Sequence, residues 1–253
     1  MKTDKAWQIW GEKEPYYAVV TDDKYLAENL GDEGVEEFFE RGRQHLDDTF
    51  TVLHDHVDAS FAPARALDFG CGTGRFLVPL AERCETVVGV DVSDGMLREA
   101  ARNCSARNRL QNWRLLSTQA FRDDPSIRYD FLHSHIVFQH IRRKEGEPLL
   151  ELLLERLEPG GGIAVQFMYR NTAPPIRRCL TWMKNRLPFA PLATRILTGK
   201  HHLVAPMEMN VYDVARIKAI IAEAGVSNLY LRASQQGVVH SLTIYGRKSA
   251  NRC

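Results

Sequence analysis

From Arg65 to Phe76 the chain reads RALDFGCGTGRF. Ala66 to Phe69 is a short apolar-rich run of the kind a strand carries when both faces of its sheet are covered. Gly70, Gly72 and Gly74 then let the backbone turn and pass close to a ligand, and Arg75 to Cys84 continues as a helix. A second apolar run, TVVGVD from Thr86 to Asp91, ends in an acid seventeen residues after Gly74. Strand, glycine turn, helix and acid-terminated strand together predict a βαβ unit that holds an adenosine, with Asp91 on its ribose.

The third glycine separates two ligand classes. A dinucleotide fingerprint, GxGxxG, needs a glycine inside the helix for close packing, with the pyrophosphate on the helix N-terminus. That position is Arg75. The spacing GxGxG, with Asp68 just before it, instead resembles motif I of the class I S-adenosylmethionine-dependent methyltransferases. The resemblance continues through YDFLHSHIVFQHI (Tyr129 to Ile141), which looks like the fourth strand and its loop, and LEPGGGIAVQF (Leu157 to Phe167), which looks like a helix end, turn and fifth strand. Val211 to Leu231 reads as helix, Gly225, then strand, and Val239 to Lys248 as the last strand.

The resemblance implies an α/β fold: a Rossmann-like seven-stranded, mostly parallel sheet with its last strand antiparallel. It implies S-adenosylmethionine as cofactor, S-adenosylhomocysteine as product, and no metal. By the same analogy the cofactor meets Asp68, which helps position the methionine ammonium, and Gly70, Cys71, Gly72, Gly74, Asp91, Val92, Met96, Thr118, Gln119 and Ser134. Many members place an Asp after the third strand for the adenine amino group. Here Ser117, Thr118 and Gln119 follow WRLL, so backbone or neutral side chains must serve. No NPPY-type string follows the fourth strand, which argues against methylation of adenine or glutamine amides.

Composition bounds the rest. The chain has 253 residues, 44% of them hydrophobic, and a net charge of +1, enough for one α/β core with additions and no global pull toward nucleic acid. Five cysteines (71, 84, 104, 179 and 253) lack disulfide or zinc spacing and suit a reducing cytoplasm. The N-terminus has no apolar leader core and no run long enough to span a membrane, so a cytoplasmic protein is expected.

Two segments lie outside the sheet pattern, which divides the chain into a helical extension or lid (1–64) and a methyltransferase domain (65–253) with a basic cap insertion (171–207). In the extension, Val35 to Val57 repeats apolar residues at one-turn intervals, and residues 7–22 are rich in aromatics. Tyr16 and Tyr17 are candidates to close over an acceptor; pinning of the extension is the other reading. The insertion has no Asp or Glu but carries Arg177, Arg178, Lys184, Arg186, Arg195 and Lys200, with Arg170 just before it. Residues 176–187 predict an amphipathic helix, stopped by Pro188. Such a face meets solvent or an anion: phosphate, carboxylate, a carrier or the surface of an anionic membrane.

Methyl transfer from a sulfonium is an in-line displacement, so the protein chiefly positions the acceptor and supplies a base only where a proton must leave. His140 is the candidate base, a packing residue being the other reading, with His133 and His135 behind it, and Tyr16, Tyr17, Tyr169, Arg170 and Arg177 are candidate acceptor contacts. The expected activity is methylation of an oxygen or nitrogen of a small, anionic or carrier-linked metabolite. An RNA methyltransferase using the basic insertion, and a non-catalytic S-adenosylmethionine-binding protein, are the alternatives.

Overall fold

The computed structural model describes residues 2–108, 110–174 and 207–250. The predicted helix over 176–187 and Arg177 lie outside the described residues.

A seven-stranded sheet in the order β3-β2-β1-β4-β5-β7-β6 organises the chain. Its strands are β1 (Arg65–Phe69), β2 (Thr86–Asp91), β3 (Trp113–Ser117), β4 (Tyr129–Ser134), β5 (Leu157–Asn171), β6 (Val226–Gln236) and β7 (Val239–Lys248). β1 to β5 pair in parallel, whereas β7 runs antiparallel to both β5 and β6. This is the Rossmann-like methyltransferase arrangement that the sequence implied.

Alternation along the central strands sends neighbouring side chains to opposite layers. Ala66, Phe131 and Ala164 pack beneath α3 (Asp32–His56) and α4 (Leu77–Ala81), with Phe38, Leu46, Phe50 and Leu53 from α3 fully or almost fully buried there. Leu67, Leu132, Ile163 and Val165 face the other layer, where α7 (Arg143–Glu155) and α8 (Val214–Glu223) supply Leu150, Leu153, Ile220 and Ile221. Helix α3, although it precedes the first strand, therefore completes a layer of the main core. Burying four such side chains contributes on the order of 1.5–3 kcal/mol each.

The remaining N-terminal elements, α1 (Lys2–Lys13) and α2 (Pro15–Val19), pack on the start of α5 (Asp94–Arg107). Trp10, Tyr17, Ala18, Leu26 and Met96 form a separate small core there. The crossing is close: a Cβ on Gly95 would stand 2.6 Å from the Gly11 carbonyl carbon, and one on Gly11 would stand 2.1 Å from Ser93 Oγ. Helix α6 (Thr118–Asp123) follows β3 directly, capped by Ser117, whose Oγ accepts from Ala120 N. Among the described residues no helix is long and apolar enough to cross a membrane.

Candidate cofactor and acceptor site

The glycine turn after β1 is held by its neighbours. Gly70 N and Cys71 N both donate to Val90 O, at 2.7 and 3.0 Å, which fastens the turn to the end of β2. Gly70 and Gly72 adopt φ of 79° and 52°, and a Cβ on either would strike Val137 at 2.2 Å or Val19 at 2.8 Å. Only glycine combines that backbone with so close an approach.

Asp91 ends β2 beside this turn. Its Oδ2 accepts from Gly72 N and its Oδ1 from Ser93 N, both at 2.9 Å. Burial pushes the carboxyl up to about 6, against the pull of the backbone donors at Ser93, Gly72 and Val92. Each carboxylate oxygen keeps lone-pair capacity beyond these bonds, so the side chain is built to accept two further donors, as vicinal ribose hydroxyls supply.

A cavity of about 650 Å³ opens from this point. It runs from Ser117, Thr118 and Gln119 past Gly70, Gly72 and Asp91 to His135, Val137 and His140, and Asp4, Trp7, Gln8, Ala18 and Val19 close it from the N-terminal side. Val92 and Met96 also line it. Asp68, Cys71, Gly74 and Ser134 stand behind the wall. Asp68 Oδ1 lies 2.8 Å from His133 Nδ1, Ser134 Oγ donates to Phe69 O at 2.9 Å, and Gly74 lets the turn approach Ala100. Burial, then Asp91 and Asp68, pushes the Cys71 thiol well up, so it stays protonated.

His140 reaches the cavity with both ring nitrogens in contact. Nδ1 lies 2.8 Å from the Glu208 carbonyl oxygen, which can only accept, so Nδ1 carries the hydrogen. Nε2 lies 3.3 Å from Gln139 Nε2, and the Trp7 ring meets the imidazole edge-on at 4.9 Å. Burial pushes this imidazole down to about 4, partly offset by the Glu208 carbonyl, and it is neutral near pH 7.

The candidate acceptor contacts are dispersed. The Tyr16 hydroxyl is 2.9 Å from Glu99 Oε1 and 3.1 Å from Asn103 Oδ1, and burial pushes it up to about 12. Tyr17 packs against Trp10 with ring centroids 5.8 Å apart. Tyr169 faces His240 at 6.2 Å, and Arg170 is the register partner of His240. None of these four lines the cavity.

Other residues reach the site without having been singled out in the sequence. Gln8 bridges the loop after Asp91, donating to Val92 O at 2.8 Å and accepting from Asp94 N at 3.1 Å. Ile136, on the cavity wall, sits at φ 61°, a conformation that costs a β-branched residue on the order of 1–3 kcal/mol. Its N–H is held by Gln166 Oε1 at 3.1 Å. Residues 207–212 return along the same loop: Asn210 N donates to Gln139 O at 2.6 Å and Tyr212 OH to Ile141 O at 2.8 Å, while Arg142 pairs with Glu208 at 2.7 Å. Only paired glycines in two helices, Gly11 and Gly95, gave a local trace of the first contact. The others have none.

Known proteins agree with this arrangement. Residues 66–161 match the family model of a methyltransferase domain. A trans-aconitate 2-methyltransferase of Methylobacterium nodulans is 34% identical over 131 residues, 51% of this chain and 47% of that protein. Thiocyanate methyltransferase 1 of Brassica oleracea is 29% identical over 150 residues, 58% of this chain and 66% of that one. The chain thus spans about half to two thirds of the length of these relatives. Among solved structures, the magnesium protoporphyrin IX methyltransferase from Synechocystis PCC 6803 with bound S-adenosylhomocysteine superposes with a TM-score of 0.62 at 17% identity, over 98% of this chain and 100% of that one. With the glycine turn, the acid-terminated second strand and the strand order in place around the matched segment, residues 66–161 are a methyltransferase domain of the class I S-adenosylmethionine-dependent kind.

Proposed function

We propose that the protein transfers the methyl group of S-adenosylmethionine to an oxygen or nitrogen of a small, anionic metabolite. The observation that carries this reading is the partly buried Asp91, fixed by Gly72 N and Ser93 N, at one end of a cavity that continues past the cofactor cradle to His135 and His140. Its volume falls in the roughly 300–1,000 Å³ range of small-molecule sites. Relatives named for trans-aconitate and thiocyanate methylation favour a small acceptor over a polymer.

The cofactor supplies an activated methyl group on a good leaving group. The chain's own residues do the holding: Asp91 orients the ribose, the Ser117–Gln119 edge faces the adenine, and Gly70 and Gly72 let the tail pass. Alignment of acceptor and methyl group contributes on the order of 7–11 kcal/mol. Trp7 and Gln8 shut out water from above. His140 shapes the acceptor end; with a conjugate acid near 4, its Nε2 takes a proton only from an acidic hydroxyl, and an ionised acceptor needs no base.

Calorimetry tests the reading directly. S-adenosylmethionine and S-adenosylhomocysteine should bind and NADH should not. S-adenosylhomocysteine release should then be measured across hydroxy, amino and carboxylic acids. Tight NADH binding, or no affinity for either adenosyl ligand, removes the assignment.

A further inference from the structure

Arg75 directly follows the last glycine of the turn and makes no ion pair among the described residues. Its guanidinium carbon stands 5.2 Å from the ring centroids of both Phe38 and Phe76, and its Nε is buried without a hydrogen-bond partner among the described residues. The like charge that bears on it is Arg41, itself paired with Glu37 at 2.7 Å. The acid-free run from Asn171 to Met207 cannot supply a carboxylate either.

Two imidazoles stand beside it. His45, on α3, lies 4.9 Å from the Phe76 ring and 4.1 Å from His135, and Phe76 lies 5.6 Å from His135. Among the described residues neither His45 nor His135 makes a hydrogen bond. Burial first, then His133 and Arg75, pushes His45 down to about 3; burial, then His45, His133 and Arg75, pushes His135 well down. Both rings are therefore neutral, each with one N–H to donate. Of the other charges facing the group, Arg232 pairs with Asp48, and Asp68 meets His133 through Oδ1 while its Oδ2 is buried without a hydrogen-bond partner among the described residues. His135 alone of the three lines the cavity, so the group adjoins the cofactor site from the α3 side.

We propose that Arg75, His45 and His135 form a binding site for a carboxylate of the methyl acceptor, an inference that rests on the methyltransferase reading above. One guanidinium flanked by neutral donors matches a singly charged, planar group better than a doubly charged phosphate. Stacked on two phenyl rings, the guanidinium is held ready for that group at little cost in side-chain entropy.

The test is calorimetry on protein saturated with S-adenosylhomocysteine. Acetate, succinate and trans-aconitate are titrated, with trimethyl trans-aconitate as the uncharged control, into the wild type, Arg75→Met and Arg75→Lys. At least one carboxylate should bind the wild type, about ten- to hundredfold more weakly Arg75→Met, and with intermediate affinity Arg75→Lys, whose point charge lacks the fork. The ester should not distinguish the three. Equal carboxylate affinities, or no carboxylate bound by the wild type, overturn the proposal. If Arg75→Met does not melt cooperatively, the comparison rests on Arg75→Lys, which must still lose severalfold. Weaker S-adenosylhomocysteine binding with unchanged 5′-methylthioadenosine binding would move the carboxylate to the cofactor's own tail and overturn the acceptor assignment. Wild-type protein that binds no S-adenosylhomocysteine rejects the methyltransferase reading instead, so the two failures are distinct.

Discussion

Replacing Asp91 with Asn keeps the shape of the side chain and removes its charge, and the consequences can be worked from its surroundings. In the wild type Gly72 N and Ser93 N each occupy one carboxylate oxygen at 2.9 Å. An amide can accept at one of these positions only, and at the other its NH₂ meets an N–H. The two ribose hydroxyls lose a charged acceptor, at roughly 1.5–3 kcal/mol for a charge-assisted hydrogen bond, so S-adenosylhomocysteine should bind about ten- to hundredfold more weakly. The raised carboxyl, near 6, adds a pH signature. Because its folded value exceeds the ordinary 3.8, ionisation of Asp91 opposes folding: this contribution to stability is fully present below 3.8 and is lost as pH rises through about 6. Ribose hydroxyls favour the ionised form, so wild-type affinity should be level above pH 6 and weaken by up to about tenfold per unit below it. Asp91→Asn should show no such bend. Calorimetry of S-adenosylhomocysteine from pH 7.5 to 5 reads both effects. An Asn variant with wild-type affinity, or a wild type with level affinity down to pH 5, refutes the placement of the ribose.

Gly95→Ala puts a methyl group 2.6 Å from the Gly11 carbonyl carbon, so α1 must shift at a cost of roughly 1–3 kcal/mol; limited proteolysis should cut residues 2–13 sooner and cofactor affinity should fall, whereas unchanged cleavage would show that α1 is not fastened at this crossing. His140→Asn retains a donor for the Glu208 carbonyl and should keep turnover within about tenfold, while His140→Ala should lower the melting temperature; a loss of about 10²–10⁴ in a stable His140→Asn variant makes the residue a base after all. His45 near 3 and His140 near 4 are both depressed from 6.5, so the stability they contribute is present above pH 6.5 and is lost as pH falls toward 4, by up to about 1.4 kcal/mol per unit for each. Asp91 opposes this between about 6 and 3.8, and urea midpoints from pH 7.5 to 5 should still fall; a level profile would show that these rings are not held neutral.

What could be read from the sequence was what the backbone itself imposes. RALDF and TVVGVD are strands because both faces are covered, and the glycines at 70 and 72 are needed at positive φ whatever surrounds them. Asp91 follows from its position at the end of such a strand. Contacts between distant segments left no comparable trace: Gln8 meets Val92 across 84 residues, and Tyr16 meets Asn103 across 87. Tyr16 and Trp10 show why composition was ambiguous there. An aromatic ring with a polar edge suits both a ligand wall and a core, and here the Tyr16 hydroxyl found acceptors on α5, Trp10 was buried, and Trp7 alone of the three reached the cavity.

Position 75 ties the cofactor class to the architecture. In a dinucleotide site a glycine here allows close helix–strand packing. In this chain the close approach comes from the opposite partner: a Cβ on Gly42 of α3 would stand 2.5 Å from the Arg75 carbonyl oxygen and 2.8 Å from its Cγ. With the space for contact provided by α3, residue 75 is free to carry a long cationic side chain, and α3 also brings Phe38 beneath the guanidinium and His45 beside it. The helix that completes the sheet's outer layer is thus the one that assembles the Arg75 group. Glycine at 42 and arginine at 75 are two halves of one packing solution, and exchanging them should fail on both counts: a side chain at 42 would drive α3 off the turn, and glycine at 75 would leave His45 and His135 without their cation.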